Sequence, residues 1–279
     1  MKRPSWKLGL AILGIGGCGL PAAVCAQPLW LERETRPVLS LELLKPLYVA
    51  DAYSGASESF GTSAAFLSAR IPAGEKVQVV LDLPYSHFSW GPSPEVNSSS
   101  LGNPYLGLEF GAVEESGWIE FGARLPLASR DEEYALLNGI LADNHRQFAF
   151  LPDYLQVQAA GNLRFRHDTG LYVRGRLGPE FLIPSGEIGE FAEPELAVHY
   201  ALLFGYSNPA LHAGVGLVGL ALVSVAGVDA SDATQHQVQF QMAAGPWRVR
   251  PAVYAHVWLD QDVRGFTSGT IGLGLDVRL

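Results

Sequence analysis

Residues 234–242 read Thr-Gln-His-Gln-Val-Gln-Phe-Gln-Met. Gln235, Gln237, Gln239 and Gln241 alternate with His236, Val238, Phe240 and Met242. Side chains of an extended strand point to opposite faces in turn, so this segment separates a polar from an apolar environment. The same period of two returns along the chain. Tyr154 to Arg166 sets Leu155, Val157, Ala159, Leu163 and Phe165 against Gln156, Gln158, Asn162, Arg164 and Arg166. Leu171 to Phe181 puts Arg174, Arg176 and Glu180 on its polar face. Thr270 to Leu279 sets Ile271, Leu273, Leu275, Val277 and Leu279 against Thr270, Gly272, Gly274, Asp276 and Arg278.

The pattern predicts about twelve strands, over 38–44, 60–71, 76–88, 101–112, 118–127, 154–166, 171–183, 194–206, 210–224, 234–245, 247–259 and 269–279. Most approach the roughly nine to eleven residues with which a tilted strand crosses a bilayer. Their connections alternate. Tight links follow the even strands: 72–75, 113–117, 167–170, 207–209 and 245–246. Longer ones follow the odd strands, among them 92–100, 128–153, 184–193 and 225–233. Short turns on one side and long loops on the other describe an all-β, transmembrane, up-and-down antiparallel β-barrel, with the short turns periplasmic. Aromatics fit a periplasmic girdle: Trp118 and Trp247 just after short turns, Phe110, Phe165 and Phe204 just before them.

Two other readings compete. A secreted β-sandwich also alternates, but does not require five consecutive short–long hairpins. Leu211 to Val228 is apolar enough for a membrane helix. Its glycines favour a strand with Gly214, Gly216 and Gly219 facing a lumen. The 128–153 loop has room for a short helix near Glu132 to Leu141 and is the expected lid or plug.

The chain opens on a secretory signal: Lys2, Arg3 and Lys7, an apolar run from Leu8 to Leu20, then Pro21 and small residues before a cut at Ala26/Gln27. A lipoprotein leader lipidated at Cys18 is the alternative. Residues 1–26 are thus expected to be removed and 27–279 to form the barrel. Both cysteines, Cys18 and Cys25, fall in the leader, so the mature chain has no disulfide or thiolate site. The formal charge is −9 before the leader's cations are lost, which argues against a nucleic-acid partner.

Leu101-Gly102-Asn103-Pro104-Tyr105-Leu106-Gly107-Leu108-Glu109 is similar to the G-[ND]-P-x-L-G-L strand of the outer-membrane transporter family linked to phenol degradation. The resemblance implies a porin- or transporter-like barrel in the cell outer membrane of a Gram-negative bacterium. Expected partners are outer-membrane lipid, the assembly machinery and a small, anionic or aromatic solute. Barrels of this group end in Phe or Trp, and Leu279 departs from that.

The lumen is expected to carry both signs of charge. Arg164, Arg166, Arg174 and Arg176 come from hairpin-linked strands and should form one basic patch near the periplasmic end, with Arg248 and Arg250 beside another short turn. Arginine forks bind carboxylates and phosphates, so these six are the candidate solute track. The opposite sign comes from Glu42, Asp82, Glu109, Glu120, Glu180, Glu195 and Asp276. A barrel of this size is about 24 Å across between backbones. A lumen filled by structural ion pairs is therefore the alternative to a track. No cofactor or metal is expected: Asp229, Asp232, Asp260 and Asp262 read as solvated loop charge, and His199, His212, His236 and His256 lack ligand spacing.

One motif points to catalysis. His87-Phe88-Ser89-Trp90-Gly91 resembles the H-x-S-N-G of outer-membrane lipid hydrolases and deacylases, with Trp90 in place of Asn. It implies His87 as base for a Ser89 nucleophile on the lipid-facing side. The chain is expected not to be an enzyme, with this hydrolase as the alternative.

Overall fold

The computed structural model describes residues 29–49, 61–91, 96–185, 193–224, 233–245 and 248–279. The expected leader, Trp247, Asp229 and Asp232 lie outside these residues. Thirteen strand segments form one antiparallel sheet: β1 Val38–Tyr48, β2 Ser63–Pro72, β3 Val77–Trp90, β4 Val96–Leu101, β5 Tyr105–Phe110, β6 Gly117–Arg124, β7 Tyr154–Arg166, β8 Leu171–Pro184, β9 Glu195–Ser207, β10 Leu211–Leu222, β11 Thr234–Ala244, β12 Val249–Trp258 and β13 Thr267–Arg278. Consecutive strands pair, except β4 with β5, and β1 pairs with β13 from Val38↔Arg278 onward, so the sheet closes on itself. β4 and β5 both lie along β3 and count as one interrupted stave, giving a closed barrel of twelve. Among the described residues, no helix is long and apolar enough to cross a membrane.

The twofold period sorts the barrel wall. Outward positions are apolar all round: Leu43, Leu106, Phe121, Leu163, Leu177, Leu202, Leu217, Ile271 and Leu273 are all exposed. Inward positions are polar and buried: Glu42, Ser68, Asp82, Glu109, Glu120, Arg176 and Gln237. A closed ladder leaves no unpaired backbone edge, and an apolar belt faces outward, as lipid requires. The 211–228 run begins as strand β10, not a helix. Gly214 and Gly216 face inward as expected. Gly219 has the opposite parity and faces outward, where Tyr200 leans so close that a Cβ would meet its ring at 2.2 Å.

Three stretches differ from expectation. β1 runs past Lys45-Pro46 to Tyr48. Leu44 is the last residue paired to β2, and a proline is tolerated beyond it on the free edge. The 92–100 segment holds β4, because Ser and Asn alternation imitates a turn while pairing with the end of β3. The expected strand over 101–112 breaks at Gly102-Asn103-Pro104, where the chain leaves the ladder to meet an inserted loop.

That loop is the predicted plug. Residues 125–153 fold into the external half of the lumen and carry helix α1, Glu133–Ala142, followed by a 3-10 segment, Asn144–Phe150. Phe150 packs on Phe66 of β2, 5.9 Å between ring centroids. Gly139 is needed here, since a Cβ would meet the Phe150 ring at 2.3 Å.

The belt predicts a depth-dependent penalty. Leu273, 66% exposed near the middle of β13, changed to Arg should cost roughly 2–4 kcal/mol of stability in lipid vesicles. Equal stability of variant and parent in denaturant titrations would contradict a membrane-embedded belt.

Candidate functional site

The lumen is closed by two inserts that meet an array of buried charge. The external insert is held first by Asn103. Its side-chain oxygen accepts from the amides of Leu127 and Ala128, each at 2.9 Å, and its amide donates to Leu151 O at 2.6 Å. Both ends of the loop are thus gathered on one buried residue. The Asn103 backbone amide donates to Ala149 O at 2.6 Å, and its carbonyl accepts from Arg124, which also pairs with Asp82 at 2.7 Å. Gly102 permits the approach: a Cβ there would meet Ala149 O at 2.5 Å. Within the loop, Arg146 forms ion pairs with Glu42 of β1 and, at 2.8 Å, with Asp143. Trp258 and Thr270 donate to Leu141 O, and Asn138 donates to Ser86.

The periplasmic half is closed by a strap, residues 29–36, that enters the lumen before β1. Trp30 Nε1 donates to Gln239 at 3.1 Å. Arg174 donates to Leu29 O at 2.6 Å, and Arg70 donates to Leu31 O. Arg33 pairs with Glu109 at 2.9 Å, and that carboxylate also receives Arg70 and the Trp118 indole. Glu32 contacts Ser207, His212, Arg250 and Arg278. Burial alone would push the Glu32 carboxyl up, but His212, Ser207 and Arg278 outweigh it and hold it well below the usual range.

The six candidate arginines divide. Arg164 and Arg174 are cross-strand partners, and with Arg33 they surround Trp118 at 5.8, 5.1 and 4.6 Å from its ring centre. Trp118 therefore faces the lumen as a cation platform rather than joining a lipid girdle; it lies on the inward parity of β6. Phe110, Phe165 and Phe204 do face outward. Arg166 donates to Ser207 O at 2.9 Å. Arg176 is consumed by Glu120 at 2.8 Å, in a fully buried pair. Arg250 is buried against the short turns, donating to Gly245 O and Pro209 O. Arg248 is exposed at the end of its turn. A narrow cavity of about 30 Å³ remains between strap and wall, lined by Arg164, Arg166, Arg174 and Trp118 among others.

His87 and Ser89 both face outward near the external rim, as expected. The hydrogen bond of His87, however, is to Ser99: its Nδ1 lies 2.8 Å from Ser99 Oγ. Ser99 is the cross-strand partner of His87 in β4, whereas Ser89 is two residues along the same strand. The adjacent Ser98 hydroxyl and Ser99 amide donate to Glu132 at 2.8 and 3.1 Å. Among the described residues, no group of three His, Cys, Asp or Glu could hold a metal. Asp260 sits 3.2 Å from His236 rather than at a cation site.

No family model matches the chain, and no curated protein matches it in sequence. Solved structures do. The COG4313 outer membrane channel from Pseudomonas putida F1 aligns with 9% identity over 92% of this chain and 100% of its own, TM-score 0.58. The translocator domain of the autotransporter NalP from Neisseria meningitidis aligns with 11% identity over 88% and 90%, TM-score 0.50.

Two predictions concern the external insert. Asn103→Ala removes the residue that binds both loop ends and should expose 125–151 to protease while the barrel stays heat-modifiable. Unchanged protection would show that Asn103 is not the clasp. Acid should act in the same direction. Burial, then Arg176 and His199, hold His145 well below the ordinary histidine range of about 6.5 while it is docked. The docked form therefore binds fewer protons than a released loop, and docking weakens as pH falls below about 6.5. Proteolysis of the loop should rise between pH 7.5 and 5.5, and His145→Phe should flatten that rise. Together with the apolar belt, the closed twelve-stave architecture makes this chain a β-barrel of the cell outer membrane.

Proposed function

We propose that the barrel is a gated channel or transporter for small anionic solutes, and not an enzyme. The observation that carries this reading is the contrast between wall and inserts. The staves are joined by backbone ladders, whereas strap and plug are joined to them mainly through side chains: hydrogen bonds, ion pairs and buried apolar contacts. A polar wall remains behind either insert, so its withdrawal would leave a lumen that water can fill. The arginines at the strap supply the anion preference, since they already donate to main-chain carbonyls and to Glu109. The Pseudomonas putida barrel is described as an outer-membrane channel, which agrees with this reading.

Planar-bilayer recording tests it. The full chain should open rarely, and a strap variant, Trp30→Ala with Arg33→Gln, should open more often. Arg164→Gln with Arg166→Gln should lower anion preference. Arg176→Gln should instead destabilise the barrel by roughly 3–5 kcal/mol, because it strands the buried Glu120. Silence of the strap variant, with the strap shown to be protease-accessible, would sink the channel.

A second reading rests on the His87–Ser99 hydrogen bond, the geometry of a base poised on a hydroxyl nucleophile at the lipid surface. On this reading Ser99, not Ser89, attacks an outer-leaflet acyl ester. Ester hydrolysis lost in Ser99→Ala and kept in Ser89→Ala would support it; no hydrolysis by the parent protein would remove it.

A further inference from the structure

The strap's Glu32 occupies a receptor that belongs to the barrel wall. Its Oε1 accepts from Ser207 Oγ at 2.8 Å and lies 3.2 Å from His212 Nδ1. Its Oε2 accepts from Arg278 Nη2 at 3.1 Å and lies 3.7 Å from Arg250 Nη1. These four side chains come from two pairs of staves, β9 with β10 and β12 with β13, at the short-turn end of the barrel. Two of them have a second contact on the wall that fixes their aim. The His212 ring stacks on Tyr172, with Nε2 3.3 Å from the tyrosine hydroxyl. Arg250 is braced by Gly245 O and Pro209 O. His212 and Arg250 are thus aimed by the wall, whereas Arg278 is held by two strap carboxylates, Glu32 and Glu34.

Beside it is a slot for a flat ring. The Trp30 indole is buried over Gly214, where a Cβ would meet the ring at 3.0 Å, and its N–H reaches Gln239. An aromatic body and a carboxylate two residues further on fill adjoining subsites. If the strap leaves, Glu32 and Glu34 leave with it. Arg250 and Arg278 then face one wall carboxylate, Asp276, which is held by Ser40 at 2.7 Å. Buried or half-buried cations left in that ratio need another anion.

We propose that the wall carries a binding site for small aromatic monocarboxylates, centred on Ser207, His212, Arg250 and Arg278, and that the strap occupies it as an internal ligand. This deepens the channel reading and rests on it for its biological sense. A free carboxylate must displace Glu32, so its apparent affinity is reduced by the fraction of time the strap is docked.

The test is calorimetric and needs no conductance. Purified full-length protein in detergent is titrated with 3-phenylpropionate and, separately, with the uncharged 3-phenylpropionamide. The variant Trp30→Ala/Glu32→Gln should bind the acid at least about tenfold more tightly than the parent and bind the amide no better than the parent does. Adding Arg278→Gln should abolish that gain. Ser207→Ala with intact arginines is the milder control, expected to weaken the acid severalfold without disturbing folding; heat-modifiability confirms the barrel in each case. Equal binding of acid and amide, or binding indifferent to Arg278→Gln and Ser207→Ala, would overturn the site. A barrel that binds the acid but never conducts would spare the site and sink the channel. A strap variant that conducts but binds no acid would do the reverse.

Discussion

A strand in a bilayer has nowhere to place an unpaired amide except on another strand. That constraint makes β1 the hinge of the architecture, because it must satisfy β2 on one edge and β13 on the other. Once Val38 is opposite Arg278, parity fixes everything else. Leu39, Leu41 and Leu43 go to lipid; Ser40, Glu42 and Leu44 go to the lumen. A slip of one residue would exchange these sets and bury leucines in place of carboxylates. The lumen's chemistry is therefore a consequence of closure as much as of composition.

Closure then creates a second demand. Charges crowded into a tube about 24 Å wide are cut off from most solvent and need partners. The wall meets part of this internally, as in Arg124–Asp82 and Arg176–Glu120. The rest is met by the inserts. Arg146 comes in from the loop to Glu42, and Arg33 comes in from the strap to Glu109. Plugging and charge neutralisation are one event here, which explains why the inserts carry charge of both signs beside the apolar residues, such as Phe150, that they pack against the wall.

The staves were legible because period two is written in adjacent residues: Gln237, Gln239 and Gln241 announce a lumen with no further information. The plug was legible from the length of one link. The partners were not. Arg146 and Glu42 are far apart in sequence, and only closure brings them together. The interruption at Asn103 was hidden by the strand-like residues around it, although Gly-Asn-Pro is itself a turn signal. The strap was missed because Trp30-Leu31-Glu32-Arg33 has no period. Its signal was composition: an indole and two charges crowded just before the first strand. His87 was aligned with Ser89 by a local motif, while in a hairpin the nearer hydroxyl belongs to the opposite strand.

The two inserts are not equally easy to remove, and the difference follows from what each leaves behind. Withdrawing the plug takes from Glu42 and Asp82, deep in the lumen, the one cation that reaches both, Arg146, and leaves Arg124 on Asp82 alone. Withdrawing the strap takes Arg33 from Glu109, but Arg70 stays 3.2 Å from that carboxylate and Trp118 still donates to it. On the strap's other side, Arg250 and Arg278 lose Glu32 at a mouth where Arg278 is only half-buried and water can take the place of the lost acid. A single missing partner in a closed interior costs far more than one at a solvated rim. The strap is thus the exchangeable element and the plug the anchored one. A ligand with the right charge acts most effectively where the wall can exchange one anion for another without stranding a charge.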